Sequence, residues 1–539
     1  MVDPDSDTTS YLGATGPFDL ATRRRADSRT VGPVRPQDQL PTFARGPVFA
    51  IAAAMGLVLL AFSGRYGYFS DELYFLAAGQ HLAWGYADQP WLVPLLARVT
   101  DEVTGGSLVG LRLPATIVTI SGVVVTALIA RELGGQRGAQ VMAAGASAAS
   151  PYLLATGHLL ATSTLDPFGW TVIIWLVVRW VRTREQDRPD DRLLLLSGVV
   201  TALTLQVKFL IPAFWLALGV SVLVFGPREL LRRPMLWVGA ALAGVVTLPT
   251  LVWQARNHWP YLQMTGAVSH EMAHVGGRLA FLPLAGLGAG LLVGVVLGCY
   301  GLWRLLRSPQ LRPYRFLGAT ALGVTAIMLV ANGRPYYVAG LYGLLWAVAA
   351  VELQRHRAAS WWRWVRTWPV YALSALLAVN VLPWQPVSWH AGQPTQPVNF
   401  HLNEIGWPQL AGTVADIHHG LPPAAQRDAI VVSESYGAAA AIDRFGPQRG
   451  APDAYSPSRG YWYFGAPPAD TSTIIYVGAS AESLRPHFAT VRQAGQVDNG
   501  LNINNALQGA PIWVCQGPRQ PWSQLWPQLR AISQSSTGA

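Results

Sequence analysis

The sequence predicts an α-helical polytopic membrane protein with a C-terminal α/β domain, and three observations support this fold class. The 539 residues are 51% hydrophobic but only 13% charged, whereas an ordinary soluble domain carries about 25% charged residues. About eleven apolar segments are long enough, or nearly so, to span a bilayer. From about residue 384 the composition changes to short apolar runs separated by turn residues, which is typical of a small domain of strands and helices.

The chain begins with a polar segment, residues 1–45, that contains three consecutive arginines and several prolines. No short apolar core with a cleavage site occurs there, so we expect a disordered cytoplasmic tail rather than a signal peptide. A membrane domain is predicted over 46–383, with a first outer loop at 65–108. Its predicted spans lie near 46–64, 109–130, 139–157, 165–181, 192–207, 209–226, 235–253, 279–302, 316–331, 337–353 and 368–383.

Arginine-rich loops orient the predicted spans. Loops such as "RTREQDRPDDR" (182–192) and "RLLRSPQLRPYR" (304–315) carry most of the Lys and Arg outside the C-terminal region. The positive-inside rule then places the N-terminal tail in the cytoplasm, and an odd number of spans places the C-terminal region outside. The net charge of +10 follows from these loops, so we expect a multi-pass protein of the plasma membrane and no nucleic-acid partner.

An extracytoplasmic α/β domain is predicted over 384–530, followed by a disordered tail at 531–539. Apolar and turn residues alternate through three predicted strands and two predicted helices, which favours a partly parallel sheet. The strands are "DAIVVSES" (428–435), "TSTIIYVGAS" (471–480) and "APIWVCQG" (510–517), and the helices are "GAAAAIDRFG" (437–446) and "SQLWPQLRAI" (523–532).

The first outer loop contains the stretch "GYFSDELYFLAAGQHLAWGYADQPW", which places three carboxylates among aromatic residues. Ser70 is the predicted N-cap of a helix whose first turn holds Asp71 and Glu72. Acids at that position complement the helix dipole, and this role by itself explains them. The helix is nevertheless expected to lie in the membrane interface, where carboxylates are costly and tend to be functional. Asp88 follows in "ADQPW", where Pro90 is expected to end or redirect the helix.

A further carboxylate on the same side of the membrane is Asp166 in "STLDPFG", at the start of the fourth predicted span. Pro167 is expected to start that helix, so an acid at a helix N-terminus explains Asp166 equally well. Asp71 and Asp166 are expected to share a side of the membrane and a depth, which favours a common site.

Three cationic residues are expected at the same level: Arg65, Lys208 and Arg334. Each of them by itself is explained by snorkelling to the membrane interface. Together they suit a phosphate at the end of a lipid. Nearby aromatic side chains suit a sugar ring or a polyprenyl chain, although membrane-belt aromatics are commoner: Trp84, Trp91, Tyr336 and Tyr337.

A loop further along the chain contains "HEMAH", from His270 to His274, which has the H-E-x-x-H pattern of zinc proteases. Such a protease needs a third ligand further on. The next acid is Glu352, on the predicted cytoplasmic side, and the spare His258 lies upstream. An ordinary polar loop, or a metal or substrate contact in a different chemistry, therefore explains the pattern better than proteolysis.

The outer-face acids, membrane-level cations and aromatic residues suit the transfer of a group from a membrane lipid. Free nucleotide sugars are scarce outside the cytoplasm, so a glycosyltransferase there needs a lipid-borne donor such as a polyprenyl phosphate-linked sugar. Cations would offset the charge that develops on the leaving phosphate. A carboxylate beside the acceptor hydroxyl would remove its proton.

The segments "DELYFLAAGQHLAWGYADQP", "TLDPF" and "NGRPYY", the break at Lys208 and the outer C-terminal domain resemble bacterial glycosyltransferases of family 39. This family lies in the GT-C superfamily, which includes protein O-mannosyltransferases and lipid A aminoarabinose transferases. The resemblance covers about 46–530. It implies a membrane enzyme that moves a sugar from a polyprenyl phosphate-linked donor to an extracytoplasmic hydroxyl, usually with inversion. The acceptor would be a glycan, a glycolipid or a protein.

Matching motif positions imply site residues in this chain. Asp71 corresponds to the catalytic carboxylate that acts as general base, with Glu72 beside it, and Asp166 matches a second acidic position. The other expected site residues are Arg65, Lys208, Arg334 and Tyr337 for the donor, and Asp88, His258, His270 and Glu271 in substrate loops. The lipid A transferases often show Lys-Pro-Pro where this chain has Asp88-Gln89-Pro90, which argues against aminoarabinose and lipid A as substrates.

No motif indicates a cofactor, and a divalent metal is left open. The alternative from another class is a transporter or flippase of a polar lipid, which would need charges buried within the spans and matched halves of the chain. A membrane zinc protease built on His270, Glu271 and His274 is a weaker alternative. The residues determine neither the sugar nor the acceptor.

Overall fold

The computed structural model describes residues 40–356, 360–394 and 397–532. The predicted tails therefore lie outside the described residues over 1–39 and 533–539, and the predicted domain boundaries stay predictions. Sixteen helices precede the C-terminal region within the described residues. They are α1 (Arg45–Phe62), α2 (Ser70–Gln80), α3 (Leu92–Val103), α4 (Leu108–Glu132), α5 (Arg137–Ala148), α6 (Pro151–Gly157), α7 (Thr162–Glu185), α8 (Arg192–Leu205), α9 (Ile211–Phe225), α10 (Pro234–Arg256), α11 (Pro260–His274), α12 (Gly277–Ala289), α13 (Val293–Arg307), α14 (Arg315–Val330), α15 (Tyr342–Arg355) and α16 (Trp368–Ala378).

Among the described residues, six helical segments are long and apolar enough to cross a membrane, by length and composition. They contain α1, α4, α7, α10, α14 and α15, the last two together with the short turns before them. The α12–α13 pair also passes as one span, bent by 110°, and Gly290 at the bend has φ +110°, a conformation that favours glycine. The helices α8, α9 and α16 are apolar but shorter. All eleven predicted spans coincide with helical segments, which confirms a polytopic helical membrane protein.

The helices differ in how deeply they are buried. In the segment that contains α15, 83% of the residues of its 18-residue apolar stretch are buried inside the protein. In the corresponding stretch of α10 only 22% of the residues are buried. The helix α15 is therefore central, and α10 presents most of its apolar surface outward. The large side chains at the centre include Trp170, Trp180 and Trp346, all of which are fully buried.

The apolar run around Lys208 forms two helices, α8 and α9, rather than one. The break between them is held against the first loop, since the carbonyl oxygen of Gln206 accepts a hydrogen bond from the Leu92 amide at 3.1 Å. The side-chain amide of Gln206 also donates to Thr247 Oγ1 at 3.0 Å. These contacts place Lys208 at the level of the first loop.

The C-terminal region contains a five-stranded sheet of order β2-β1-β3-β5-β4. The strands β2, β1 and β3 run parallel to one another, and β5 runs antiparallel to both β3 and β4. This arrangement confirms the predicted small sheet domain. Its elements are α17 (Trp407–His419), α18 (Pro423–Asp428), β1 (Ala429–Ser433), α19 (Tyr436–Phe445), β2 (Ala454–Tyr455), β3 (Thr473–Val477), α20 (Ala481–Leu484), β4 (Phe488–Gln496), β5 (Pro511–Pro518) and α21 (Trp522–Leu529).

Two strands of this sheet were missed by the sequence prediction, and both lie at its edges. The strand β4 exposes most of its residues, including Arg492, so it lacks the continuous apolar run of a buried strand. The strand β2 consists of two residues, which is too short to produce a detectable pattern.

The helix α2 differs from its prediction in two respects. Its N-cap is Phe69 rather than Ser70, and the carboxylate of Glu72 accepts a hydrogen bond from the Phe69 amide at 2.9 Å. The helix ends at Gln80, well before Pro90. Residues Glu72 to Gly79 are buried beneath α3 and α19. The C-terminal domain thus covers α2, and the expectation that this helix lies at the level of the membrane interface stays a prediction.

The helix α7 begins at Thr162, so the prediction that Pro167 starts this helix is also wrong. Proline lacks an amide N–H, which leaves the carbonyl oxygen of Ser163 without its helical donor. The hydroxyl of Tyr152 supplies that hydrogen bond at 2.7 Å. This contact stabilises a proline inside the helix and places Asp166 in its second turn.

A buried ionic cluster connects α2 and α4 to the C-terminal region. The guanidinium of Arg112 donates to both carboxylate oxygens of Glu72, at 2.9 and 2.7 Å, and to Glu404 at 3.3 Å. All three side chains are 0% exposed. Glu72 also accepts the Leu160 amide at 3.0 Å. We therefore propose that Glu72, predicted as a catalytic candidate, positions α2 instead.

The stability of the protein should depend on pH through Glu404. Burial raises the pKa of the Glu404 carboxyl to about 7 from an ordinary value of 4.5, although Arg112 opposes this shift. Between these values the folded state binds more protons than the unfolded state, so stability falls as pH rises. We expect the melting temperature in detergent to fall by a few degrees from pH 5 to pH 8, and Glu404→Gln to flatten this dependence. If the melting temperature of Glu404→Gln fell equally between pH 5 and pH 8, Glu404 would not be the source of the pH dependence.

Candidate active site

A cavity of about 200 Å³ lies where the first loop, α11, the α14–α15 connection and the C-terminal domain meet. Two carboxylates, Asp71 and Asp88, line it together with three cations, Lys208, Arg334 and Arg459. Tyrosine and apolar side chains complete its wall: Tyr74, Phe75, Phe209, Leu210, Tyr261, Met264, Val268, Met328, Tyr336 and Tyr337. The cavity thus combines carboxylates, cations and an apolar surface.

Asp71 is oriented by the C-terminal domain. It is the second residue of α2 and is half-buried. The hydroxyl of Tyr436, the first residue of α19, donates to Asp71 Oδ1 at 2.6 Å. Within the described residues, Asp71 Oδ2 forms no side-chain hydrogen bond with the protein. One carboxylate oxygen is therefore held, and the other is available to a bound molecule.

Asp88 lies in the tight loop between α2 and α3, where Tyr86 and Gln89 pair through their backbones at 2.9 Å. The hydroxyl of Tyr74 donates to Asp88 Oδ1 at 2.8 Å. Burial raises the pKa of Asp88 above its ordinary value, while the charge of Arg459 and the hydrogen bond from Tyr74 oppose the shift.

The C-terminal domain approaches this pair of side chains through Gly460. A Cβ atom at that position would lie 1.9 Å from the Tyr74 hydroxyl oxygen and 3.3 Å from Asp88 Oδ1. Only glycine permits so close an approach. The contact between the domain and the cavity therefore depends on this residue.

Lys208 is the buried cation of the cavity, with 8% of its surface exposed. Its ammonium group lies 4.6 Å from the ring centre of Tyr337 and 5.3 Å from that of Tyr336. Among residues 40–356, 360–394 and 397–532, no carboxylate forms an ion pair with it. The charge of Asp166 acts on this ammonium from outside the cavity wall. The side of the ammonium that faces the cavity is therefore suited to bind an anion.

Arg334 and Arg459 share a single carboxylate. Glu271 accepts a hydrogen bond from Arg334 at 2.8 Å and from Arg459 at 2.7 Å. Arg459 also lies over the ring of Tyr436, 5.2 Å from its centre. This bridge joins α11, the α14–α15 connection and the C-terminal domain around the cavity.

Asp166 is buried beside this cavity rather than in its wall. Its Oδ1 accepts a hydrogen bond from Trp170 at 3.2 Å, and its charge acts on Lys208 and Tyr337. Asp71 and Asp166 therefore do not line the same cavity. Asp166 is connected to it through Lys208 and Tyr337, which line the cavity together with Asp71.

Several predicted site residues lie elsewhere. Arg65 donates to the carbonyl oxygen of Trp384 at 3.0 Å and does not line the cavity. His258 ends the turn after α10 with φ +62°. The exposed His274 contacts the carbonyl oxygen of His270 at 2.9 Å. In this chain none of these residues lines the cavity.

The "HEMAH" segment lies on α11, but its glutamate is engaged by the two arginines. Within the described residues, no group of three or more His, Cys, Asp or Glu side chains could hold a metal ion. The structure thus shows Glu271 as part of an ionic bridge and not beside a metal centre.

Sequence analysis missed Tyr436, Arg459, Tyr74 and Tyr261 as cavity residues. Tyr436 and Arg459 come from the C-terminal domain. Tyr436 lies 365 residues after Asp71 along the chain. No local pattern marks them. The one available signal is the aromatic run "YWYF" after Arg459, which is unusual for an ordinary polar loop.

Comparisons with known proteins agree with this architecture. Residues 88–253 match the family model described as dolichyl-phosphate-mannose-protein mannosyltransferase. No curated protein matches the chain.

Solved structures are similar to this chain at low sequence identity, and those of ArnT share its fold. ArnT from Cupriavidus metallidurans bound to undecaprenyl phosphate matches with 16% identity and a TM-score of 0.55, over 87% of this chain and 97% of that chain. Its apo state matches with the same values. The oligosaccharyltransferase AglB from Archaeoglobus fulgidus, in complex with an inhibitory peptide and a dolichol-phosphate, matches with 13% identity and a TM-score of 0.43, over 75% of this chain and 64% of that chain. The chain is therefore a polytopic helical membrane protein that shares the fold of ArnT, and its residues 88–253 match the model of the mannosyltransferase family.

Proposed function

We propose that the protein is a glycosyltransferase that moves a sugar from a polyprenyl phosphate-linked donor to an acceptor hydroxyl on the extracytoplasmic side. The observation that supports this most directly is the buried Lys208 ammonium, which faces the same cavity as the Asp71 carboxylate and has no ion-pair partner within the described residues. A phosphate group in the cavity would supply an anion in direct contact with this ammonium. The ArnT structure bound to undecaprenyl phosphate shares the fold.

The apolar part of the cavity wall suits the lipid of the donor. Met264 and Val268 of α11 and Met328 of α14 line the side of the cavity next to the membrane helices. A polyprenyl chain would lie along this surface, with its phosphate near Lys208 and Arg334.

The proposed reaction is a single displacement at the anomeric carbon of the donor sugar. The acceptor oxygen attacks this carbon, and Asp71 Oδ2 takes the hydroxyl proton as the new bond forms. The bond between the anomeric carbon and the phosphate oxygen breaks, and its electron pair leaves with polyprenyl phosphate. Lys208 and Arg334 offset the developing negative charge. Attack opposite the leaving group inverts the anomeric configuration.

Asp88 and the arginine bridge would complete this site. Asp88 and Arg459 belong to the first loop and the C-terminal domain, so they are placed to contact the sugar or the acceptor rather than the lipid. The orientation of the site toward the outside of the cell follows from the distribution of arginines in the loops. No metal is assigned a role in this mechanism.

Replacing Lys208 with methionine should weaken donor binding. Charge-assisted hydrogen bonds contribute about 1.5–3 kcal/mol, so we expect the Kd for undecaprenyl phosphate to rise about tenfold to hundredfold. The measurement is lipid binding to the purified protein in nanodiscs. Lys208→Arg, which keeps the charge, should recover part of the affinity.

The matched control is Arg65→Met, which removes a cation that does not line the cavity. Its affinity for undecaprenyl phosphate should equal that of the unmodified protein. Equal affinity in Lys208→Met and the unmodified protein would show that Lys208 does not bind the donor phosphate. The sugar and the acceptor would then be identified with radiolabelled polyprenyl phosphate donors. The measurement compares the transfer of label to envelope glycans between cells with and without the gene.

A further inference from the structure

An apolar groove of about 450 Å³ lies in the membrane region, between α16 and the helices α1, α5 and α6. Apolar side chains from all four helices line it: Met55, Met142, Leu154 and Ala375. Trp368 also lines the groove and is 80% exposed, so the groove opens at the surface of the helical region. Its volume is within the range of about 300–1,000 Å³ that is common for small-molecule sites. The groove shares no lining residue with the candidate active site.

The groove follows the whole length of α16. Trp368 begins this helix and Val379 directly follows it, and both residues line the groove. A helix rises about 1.5 Å per residue, so these two residues lie roughly 16 Å apart along the helix axis. The hydrocarbon core of a bilayer is about 30 Å thick, so the length of the groove corresponds to one leaflet. A single acyl chain therefore fits the groove lengthwise.

One end of the groove carries a cation. Arg366 lies just before α16, is exposed, and is the one charged residue among the described residues that line the groove. Within residues 40–356, 360–394 and 397–532, no carboxylate forms an ion pair with it. Basic positions between membrane helices on the cytoplasmic side of a bilayer bind the head groups of anionic lipids. The groove thus combines an apolar channel with a free positive charge at one end.

The arginine-rich loops meet at this end of the helices. The helix α1 begins beside the α4–α5 loop, because the Arg131 guanidinium donates to the Pro41 carbonyl oxygen at 2.8 Å. The helix α15 ends at the same loop, where Arg355 donates to the Leu133 carbonyl oxygen at 2.6 Å. The segment 354–366, which ends at Arg366, is itself rich in arginine. By the positive-inside rule we expect this end of the groove on the cytoplasmic side.

We propose that this groove binds an anionic diacyl phospholipid of the cytoplasmic leaflet, with its phosphate beside Arg366 and one acyl chain along α16. The proposed donor lipid also carries a phosphate, but Lys208, its proposed partner, lines a different cavity. The phospholipid fills the space between α16 and α1, and it therefore stabilises the position of the helix that leads into the C-terminal domain. This site does not depend on the proposed glycosyltransferase function.

The test is native mass spectrometry of the full-length protein in detergent, titrated separately with phosphatidylglycerol, phosphatidylcholine and undecaprenyl phosphate. We expect phosphatidylglycerol to bind about fivefold more tightly than phosphatidylcholine, which corresponds to about 1 kcal/mol for one arginine near the membrane surface. Arg366→Gln should remove this preference. The matched control is Arg307→Gln, because Arg307 is exposed at the end of α13 on the same predicted side and does not line the groove. It should keep the preference.

A second pair of variants tests the apolar part of the groove. Ala54 is exposed on α1 and lines the groove, so Ala54→Phe occupies part of the groove without replacing a buried side chain. It should weaken the binding of phosphatidylglycerol about tenfold, as the loss of about 1.4 kcal/mol would. The neighbouring Ala53 is also exposed but does not line the groove. Ala53→Phe should therefore bind phosphatidylglycerol like the unmodified protein.

Three results would overturn the proposal. The first is equal affinity of the unmodified protein for phosphatidylglycerol and phosphatidylcholine. The second is an affinity for phosphatidylglycerol that neither Arg366→Gln nor Ala54→Phe changes. The third is binding of undecaprenyl phosphate that is weakened by Ala54→Phe and not by Lys208→Met, which would assign the groove to the donor lipid instead.

Discussion

Asp71→Asn should abolish sugar transfer and leave the protein folded. Asparagine keeps the shape of the side chain and can still accept the Tyr436 hydrogen bond, but it cannot take a proton from the acceptor. General-base catalysis contributes about 10²- to 10⁴-fold, and we expect a loss of that size in kcat. The measurement is transfer from a polyprenyl phosphate-linked sugar by the purified protein. The Kd for undecaprenyl phosphate should change little, because Lys208 is intact.

A graded companion variant distinguishes chemistry from structure. Tyr436→Phe removes the hydrogen bond to Asp71 Oδ1 but keeps the buried ring. We expect kcat to fall about tenfold, since a hydrogen bond to a charged group contributes about 1.5–3 kcal/mol, with the donor affinity unchanged. Full turnover by Asp71→Asn would refute its assignment as the base, whatever the result for Tyr436→Phe.

Arg112→Met should destabilise the fold more than any other substitution considered. It leaves the carboxylates of Glu72 and Glu404 buried without their guanidinium, together with the carbonyl oxygens of Ser63 and Gly67, which accept from Arg112 at 2.7 and 2.8 Å. Removing one partner of a buried ion pair costs about 3–5 kcal/mol. The measurement is the melting temperature or the half-life of the folded state in detergent.

Arg98→Met is the control for this prediction. Arg98 pairs with Glu102 at 2.8 Å on the surface of α3, with 38% and 59% of the two side chains exposed, so its loss should cost less than about 1 kcal/mol. If Arg112→Met melts like Arg98→Met, the cluster does not hold α2 in place. Adding Glu72→Gln and Glu404→Gln to Arg112→Met should recover part of the stability, because no uncompensated charge would remain buried.

Local patterns predicted the fold well where a single element carries its own signal. Apolar length identified the helices of all eleven predicted spans but not α3 or α11, and turn-flanked apolar runs identified β1, β3 and β5. The same patterns failed at β4, which is an exposed edge, and at the N-cap of α2. Serine is a common capping residue, but Ser70 does not cap α2. The Glu72 carboxylate accepts a hydrogen bond from the Phe69 amide instead, because Arg112 holds that carboxylate beside the start of the helix.

The candidate site also combines features that local patterns predict with features that they do not. Residue type and distance from an apolar run were enough to predict that carboxylates and cations lie near one side of the membrane. Which of these side chains come together depends on how distant segments of the chain pack. Asp71, Asp88, Lys208 and Arg334 line one cavity, Asp166 lies behind it, and Glu72 belongs to a buried ionic cluster.

The reason is that contacts between distant segments leave no local trace in the chain. Tyr436 and Arg459 reach the cavity because the C-terminal domain covers α2, and nothing in their neighbourhoods encodes that arrangement. Hydrophobic periodicity and capping act over a few residues, so they are readable from the sequence. The orientation of Asp71 depends on a hydrogen bond across 365 residues, and only the packing of two domains produces it.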